Sequence, residues 1–360
     1  MSATLDLAEL ELASLETTLK ELDVRPFHAS QIYQWIYKRG VTKFSEMTDL
    51  SHSLRAKLEK TFRIQTPEVI RQDNSEDGTT KFLLRLSDER QIETVFIPET
   101  PAMTFCVSTQ VGCAMQCDFC LTGKMGLLRN LTAGEIAGQV RLMAHQLGLS
   151  DRRFNVVLMG MGEPLHNYNE TMKALRILGV KYGLAVGPRR ITLSTVGVLP
   201  ELNRLATEPM MPNLAVSLHA TTEELRDRLV PVNRKHGLAD LIEACRRFPV
   251  KRRERITFEY VLLRDINDSA ADAHRLASLL NGIRAKVNVI PLNEAASILY
   301  KRPSDSQTNR FARALANRDL TVTVRKSRGH DIRAACGQLI VEGPQPSPSQ
   351  RAAALIENSY

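Results

Sequence analysis

Three of the six cysteines fall within eight residues, in "GCAMQCDFC": Cys113, Cys117 and Cys120, separated by three and two residues. Thiolates are the usual protein ligands of iron–sulfur clusters. Three on one short loop can hold three irons of a four-iron, four-sulfur cube and leave the fourth iron open to a small molecule. A structural zinc site wants four ligands in a closed tetrahedron. The nearby sequence offers no fourth ligand except Cys106, which lies in the preceding apolar run "TFCVST". Clustered cysteines in a chain without an export signal point to metal rather than a disulfide framework.

A second group of polar residues stands where apolar runs stop. "VVLMGMGEPLHN" ends in Gly160, Gly162 and Glu163. Glycines there would let a backbone approach a ligand closely, and a carboxylate could accept hydrogen bonds from an amino group. Taken alone the same residues describe a glycine turn with a solvated glutamate. Ser194 closes "RITLST", Ser217, Leu218 and His219 close "LAVSLHA", and Asn293 closes "VIPLN". Each alone reads as a strand-end cap; together they offer the donors and acceptors that ribose hydroxyls and a carboxylate need. His219 has no second histidine or carboxylate at metal-ligand spacing. Cys245, on one helical face with Leu238, Leu241 and Ile242, reads as core. Cys336, in "RGHDIRAACGQL", stands more than two hundred residues beyond the cluster, flanked by Ala334, Ala335 and Gly337. Without context it reads as a small buried thiol.

The elements that must position these residues are legible as alternation. Seven β-rich runs, "TFCVST", "FNVVLMG", "RITLST", "LAVSLHA", "ITFEYVLL", "KVNVIPL" and "LTVTVR", are separated by helical patterns. In "LTAGEIAGQVRLMAHQLG", Thr132 and Glu135 form a capping box, Ile136, Val140, Met143 and Leu147 one apolar face, and Gly148 a stop. Strands alternating with helices predict an α/β fold on a parallel sheet, as a full or partial barrel, with chemistry at the C-terminal strand ends. Before it, residues 1–65 predict a small helical domain: a loose amphipathic helix over the first ~20 residues, then Ile32, Trp35 and Ile36 before Gly40, then Leu54, Leu58 and Phe62. Residues 66–98 predict a β-hairpin connector with a turn at Ser87-Asp88. Residues 99–340 form the core, and the Pro/Ser/Gln-rich segment 341–360 a flexible tail.

The cysteine loop, with Phe119 before its last cysteine, resembles the radical S-adenosylmethionine (SAM) superfamily, and "GMGE" matches its SAM-binding motif. Cys106 seven residues before Cys113, Cys336 in "DIRAACGQL", Glu93 in "QIETVFIPE", "MGMGEPLHN", "SLHA" and "RPFHASQIYQWIYKRG" narrow this further. From about Val24 to Leu339 the chain resembles the RlmN/Cfr family of radical-SAM RNA adenine methyltransferases. The resemblance implies a partial (β/α)6-type barrel, one [4Fe-4S] cluster on Cys113, Cys117 and Cys120, and SAM contacts at Gly162, Glu163, Ser194, Ser217, Leu218, His219 and Asn293. It also implies two SAM molecules per turnover. One methylates Cys336; the second gives a 5′-deoxyadenosyl radical that takes hydrogen from that methyl group, and the resulting carbon radical adds to adenine. Cys106 is expected to aid deprotonation and to release the product through a transient disulfide with Cys336. Glu93 takes the proton-acceptor position. The implied substrates are adenine C2 in 23S ribosomal RNA and the adenine next to the anticodon in tRNA. An external one-electron reductant such as flavodoxin and a monomeric state are expected.

Charge agrees with a polyanionic partner. The net charge is +8, and "CRRFPVKRRER" carries six cationic side chains against one glutamate. Arg129, Arg246–Arg255 and Arg325–Arg328 are the candidate phosphate contacts. No apolar run approaches the ~20 residues that span a bilayer, and the acidic opening segment lacks a secretory pattern. A cytoplasmic protein with no membrane partner is expected. Three rival readings are C8 methylation within the same family, a non-catalytic RNA-binding protein with a structural metal, and a radical-SAM activase, which would not need Cys106 and Cys336.

Overall fold

A computed structural model describes residues 4–98 and 102–341. Apart from Val341, the tail expected to be flexible lies outside these residues.

The chain opens with a two-residue strand β1 (Leu5–Asp6), helices α1 (Leu12–Glu21), α2 (Phe27–Tyr33) and α3 (His52–Thr61), and strand β2 (Phe62–Arg63), which returns to pair with β1. Leu15 and Leu19 of α1 and Ile32 and Tyr33 of α2 are buried. A π-helical turn over Gln34–Lys38 carries α2 on, burying Trp35 and Ile36, before Gly40 turns the chain at φ +67°. Ser51 caps α3.

Strands β3 (Glu68–Asn74), β4 (Thr80–Arg85) and β5 (Gln91–Ile97) form an antiparallel meander rather than a single hairpin. The turn between β4 and β5 falls at Ser87-Asp88 as expected, with Glu89 at φ +64°. β3 escapes the sequence because it is an edge strand: "EVIRQDN" is largely exposed and carries no apolar alternation.

The meander continues into the main sheet through β6 (Thr104–Cys106), antiparallel to β5. A short hairpin follows, β7 (Gln110–Gly112) and β8 (Leu127–Asn130), with the cysteine loop and the helix α4 (Leu121–Met125) between its strands. Then the chain alternates: α5 (Ala133–Gln146), β9 (Asn155–Leu158), α6 (Tyr168–Gly179), β10 (Ile191–Thr195), α7 (Leu199–Leu205), β11 (Asn213–Ser217), α8 (Glu223–Leu229), α9 (Leu238–Arg247), β12 (Ile256–Leu262), α10 (Ala270–Leu279), β13 (Ala285–Pro291), α11 (Asp305–Ala316) and β14 (Thr321–Val324). All seven β-rich runs are strands, and they lie parallel in the order β6-β9-β10-β11-β12-β13-β14. β14 does not close on β6, so the barrel is partial. Every residue of β12 is buried, as a central parallel strand covered on both faces requires. The predicted capping box of α5 is present, with Ile136, Val140 and Met143 buried.

Parallel strands place all their C-terminal ends on one rim. A small apolar cluster around Met115, Phe119, Val196, Leu229, Val261 and Leu292 lies under the cysteine loop at that rim. Cys245 sits in the main core, 1% exposed, as expected.

The hairpin that carries the cysteine loop has one strict requirement. Gly112 sits at φ +79°, and a Cβ there would lie 1.8 Å from the Gly126 carbonyl oxygen. Gly112→Ala is therefore expected to lower stability by at least about 1–3 kcal/mol, read from urea denaturation. An unchanged midpoint would show that the hairpin can be rebuilt without this glycine.

Candidate active site

The cysteine loop leaves β7 at Gly112 and re-enters helix at Leu121. It is fixed by backbone bonds: the Cys113 amide donates to the Gly126 carbonyl (3.0 Å), the Asp118 amide to Leu229 (3.1 Å), and the Leu121 amide to Gly337 (2.8 Å). Tyr300 donates its hydroxyl to Asp118 (2.6 Å). Cys113, Cys117 and Cys120 line one cavity together with Glu163, Ser194, Ser217, His219, Asn293 and Cys336. Chain segments separated by more than two hundred residues thus meet at the rim.

Burial pushes all three thiols upward, Cys113 and Cys117 well above their ordinary range, and for Cys117 the neighbouring Cys120, Cys113 and Glu163 add to it. A cavity that crowds such groups is costly unless a cation enters it. Among the described residues, no three histidine, cysteine, aspartate or glutamate side chains converge tightly enough to hold a single metal ion. A four-iron cube does not ask for that, since each thiolate binds a different iron. The donor set therefore fits such a cluster.

Glu163 is 3% exposed and follows β9. Its Oε1 accepts from the Leu165 amide (3.0 Å) and its Oε2 from the Val196 amide (2.9 Å). Burial nevertheless raises its carboxyl to about 7. An incoming ammonium group would restore the charged form.

Gly160 and Gly162 before it line the same cavity and also pack closely on their neighbours. A Cβ on Gly160 would lie 2.7 Å from the Val107 carbonyl, and one on Gly162, at φ +100°, 2.6 Å from Gln110 Cβ.

Ser194 and Ser217 face each other across β10 and β11, with hydroxyl oxygens 3.3 Å apart. His219 sits at φ +60°, its ring edge-on to Phe119 (4.8 Å between centroids). The Val261 amide donates to its Nδ1 (3.0 Å), and burial lowers the ring to about 3. The imidazole is therefore neutral, with its proton on Nε2. Leu218 is fully buried; its amide donates to the Glu259 carbonyl (3.0 Å), and its carbonyl accepts from Arg226 (3.1 Å). Asn293 donates its side-chain amide to the Cys336 carbonyl (3.1 Å) and accepts the Ser327 hydroxyl. In this structure its polar ends hold the Cys336 segment.

Cys336 is exposed and Cys106 is buried; all six cysteines are free thiols. Cys336, which without context reads as a small buried thiol, is exposed. Burial, and then the adjacent Cys336, pushes the Cys106 thiol to about 12.

Glu93 does not line the cavity. It is 1% exposed on β5, where Lys81 forms an ion pair with Oε1 (2.9 Å) and the Ile340 amide donates to Oε2 (2.8 Å). It therefore touches the segment that carries Cys336 from behind.

Several partners were missed. Glu259, the one charge in "ITFEYVLL", lines the cavity at 4% exposure. It accepts from Asn288 (2.9 Å) and faces Arg325 at 3.9 Å. Arg325 lines the cavity beside Cys336 and Cys106 rather than joining an outer phosphate patch. Arg226 drew no reading from the sequence. It is fully buried and donates to Leu218, Val196 and Asn233. Arg129 is also no phosphate contact: it clamps Asp88 and Glu135, both at 2.7 Å.

Comparison with known proteins narrows the chemistry. Residues 5–64 match the "Ribosomal RNA large subunit methyltransferase N-terminal domain" and residues 107–277 the "Radical SAM superfamily". The chain is 48% identical to the dual-specificity RNA methyltransferase RlmN of Geobacter sulfurreducens, over 94% of this chain and 93% of that one. The RlmN of Anaeromyxobacter dehalogenans is 46% identical over 98% and 96%. The chain belongs to the RlmN family. A crystal structure of a radical SAM methyltransferase from Sphaerobacter thermophilus superposes with a TM-score of 0.89 at 46% identity, covering 93% of this chain and 99% of that one.

As an RlmN-family, radical-SAM enzyme, the chain uses a four-iron cluster and SAM. The RlmN match also sharpens the question of how Glu93 is held. Removing one partner of a buried ion pair costs about 3–5 kcal/mol, much of it from the charge left behind. Lys81→Met is expected to lose that much stability in urea denaturation, and the K81M/E93Q double variant to lose less than K81M alone. Additive losses would mean that the two side chains are not coupled.

Proposed function

We propose that this chain methylates C2 of adenine in RNA: a specific adenine of 23S ribosomal RNA and the adenine next to the anticodon in tRNAs. The supporting relatives are dual-specificity RNA methyltransferases. The observation that carries the reading is the pair Cys336 and Cys106. An exposed thiol stands on the same cavity as three cluster-type cysteines, with a buried thiol beside it.

Adenine C2 is electron-poor and is no nucleophile, so direct methyl transfer from SAM is closed to it. A methyl group parked on protein separates two uses of SAM. First, the Cys336 thiolate displaces the methyl group of one SAM, forming an S–CH3 bond and releasing S-adenosylhomocysteine. When bound, the cluster and a second SAM supply a 5′-deoxyadenosyl radical, which takes one hydrogen atom from that methyl group. The carbon radical left on Cys336 adds to C2. Loss of the C2 proton and of one electron, which the oxidised cluster would take up, leaves adenine joined to Cys336 through a CH2 bridge. Cys106, as thiolate, then attacks the Cys336 sulfur. The S–C bond breaks, the carbon takes a proton to become methyl, and a Cys106–Cys336 disulfide remains for an external thiol to reduce. Its burial keeps Cys106 protonated until a base draws the proton away.

In this scheme Glu163 accepts the SAM amino group, and Gly162, Ser194, Ser217, Leu218 and His219 form the wall against its nucleoside. Asn293 keeps the Cys336 segment over the cavity. Glu93, held by Lys81 and by the Ile340 amide, is the proton acceptor behind that segment. Cys113, Cys117 and Cys120 would hold three irons of the cluster and leave the fourth open to SAM. Residues 1–65 act as an RNA-docking accessory domain, 66–98 as the connector, 99–340 as the catalytic core and 341–360 as the tail. The reductant is a one-electron carrier such as flavodoxin, and the working unit is a cytoplasmic monomer. No helix among the described residues is long and apolar enough to cross a membrane.

Cys336→Ala is expected to keep the iron–sulfur absorption and SAM cleavage and to lose RNA methylation entirely. Peptide mass analysis of the wild-type protein should find a methyl group on Cys336, and fragmentation of modified adenosine should place the product methyl on C2. Methylation by the variant would sink the two-step scheme; a C8 product would move the chain to the other branch of its resemblance. Cys106→Ala should leave RNA covalently attached to Cys336. Free, methylated RNA from that variant would remove Cys106 from the release step.

A further inference from the structure

The largest cleft outside the cysteine cavity, about 750 Å3, lies at the opposite end of the barrel strands. Arg152 and Arg153 come just before β9, Arg189 and Arg190 just before β10, and Lys251 before β12; Lys181 follows α6. The residues that face the cysteines sit at the other ends of the same strands: Glu163 follows β9 and Ser194 lies near the end of β10. At about 3.3 Å per residue, a five-residue strand holds these two rims roughly 15 Å apart.

Charge in this cleft is poorly balanced. Lys38 is paired with Asp151 (3.3 Å), and Arg189 approaches Glu254 only at 3.9 Å. Arg190 donates to the Phe154 carbonyl (3.4 Å), which leaves its charge uncompensated. No ion pair to Arg152, Arg153 or Lys251 occurs among the described residues, and Lys181 instead lies 4.8 Å from the centroid of the exposed Tyr182 ring. Three separate connections of the chain, before β9, β10 and β12, therefore converge like charges on one concave surface. Such convergence is unfavourable for the free protein and attracts a polyanion.

The cleft also has a chemical bias. Beyond the guanidinium and ammonium groups its walls are Phe154, glycine, proline and small or aliphatic residues, with Ser150 and the paired Asp151 as the other polar side chains. It offers charge for phosphates and almost nothing that could read a base edge.

We infer that this cleft is a second RNA-binding site, which grips the phosphate backbone of the substrate without regard to sequence, at the end of the barrel opposite Cys336. This rests on the reading that the substrate is RNA. An RNA that inserts its adenine at the cysteine rim continues along the side of the barrel, and its flanking phosphates settle between Arg152–Arg153 and Lys251. Affinity supplied there is independent of the bases around the adenine, which suits one enzyme acting on two RNAs of different local sequence.

The experiment uses the full-length, cluster-containing enzyme and the variant R152E/R153E/K251E, all three positions being exposed. Binding of labelled full-length tRNA is measured by anisotropy from low to moderate salt. The variant is expected to bind at least tenfold more weakly, with the slope of log affinity against log salt reduced by about two to three. Its SAM-dependent methylation of Cys336 should match the wild type, which shows that the fold and the cysteine cavity are intact. A photoreactive residue at position 152 should cross-link to nucleotides outside the hairpin that carries the adenine. Wild-type affinity and slope in the variant, or cross-links confined to the target hairpin, would overturn the inference. If wild-type enzyme bound no RNA at all, the fault would lie with the proposed function and not with the cleft.

Discussion

Thiols and a carboxyl buried together are the constraint around which the molecule is arranged. Cys113, Cys117, Cys120 and Glu163 share one cavity, and burial opposes the ionised form of each. Among the described residues two guanidinium groups stand near them. Arg226 is spent on backbone carbonyls and Asn233, and burial lowers it to about 10. Arg325 is turned towards Glu259, Cys336 and Cys106. Iron and the SAM ammonium group would bring positive charge to such a cavity. A rigid frame is needed to hold these groups together. The parallel sheet, with seven strand ends on one rim and an apolar cluster beneath the loop, is that frame.

The same requirement explains how the segment around Cys336 is held. It has no regular structure, yet it must stay over the cavity while its sulfur remains open. Gly337 and Leu339 accept from Leu121 and Thr122 next to the cysteine loop. Asn293 holds the Cys336 carbonyl, and Gln338 donates to Glu294 (3.0 Å). From the other side Glu93 takes the Ile340 amide, and the β3–β4 turn contributes Ser75 to Asp331 (2.6 Å) and Asp77 to the Gly329 amide (3.1 Å). Bonds on both sides of position 336, and none recorded to its sulfur, leave the thiol as the free point of a tethered loop.

How much of this could be read from residues follows from what each signal depends on. The seven parallel strands were legible because strands covered on both faces must be continuous apolar runs. The cluster loop was legible because its chemistry is local in sequence. β3 was not, because an edge strand needs no apolar pattern. Arg325 was read as a phosphate contact, and Lys81 and Arg226 drew no reading, for one shared reason: a cation's value depends on the partner that faces it, and Glu93, the Val196 carbonyl and Glu259 are brought there only by the fold. Glu259 did carry a sign of its own, a lone charge inside an otherwise apolar strand, which is costly unless a partner awaits it. The nearness of Cys106 to Cys336 had no local signal at all; only the resemblance to a family joined them.

The contrast between those two sulfurs orders the chemistry. A thiol that must first attack SAM and later carry an RNA adduct has to be open to both, and Cys336 is exposed. A thiol that must wait until the adduct is complete should be hard to ionise, or it would compete for the methyl group. Cys106, buried at the end of β6 and raised to about 12, meets that condition. Exchanging the two environments would reverse the order of attack. In the proposed scheme, position in the sheet, as much as the sulfur itself, would therefore decide which cysteine carries the methyl group and which resolves the product.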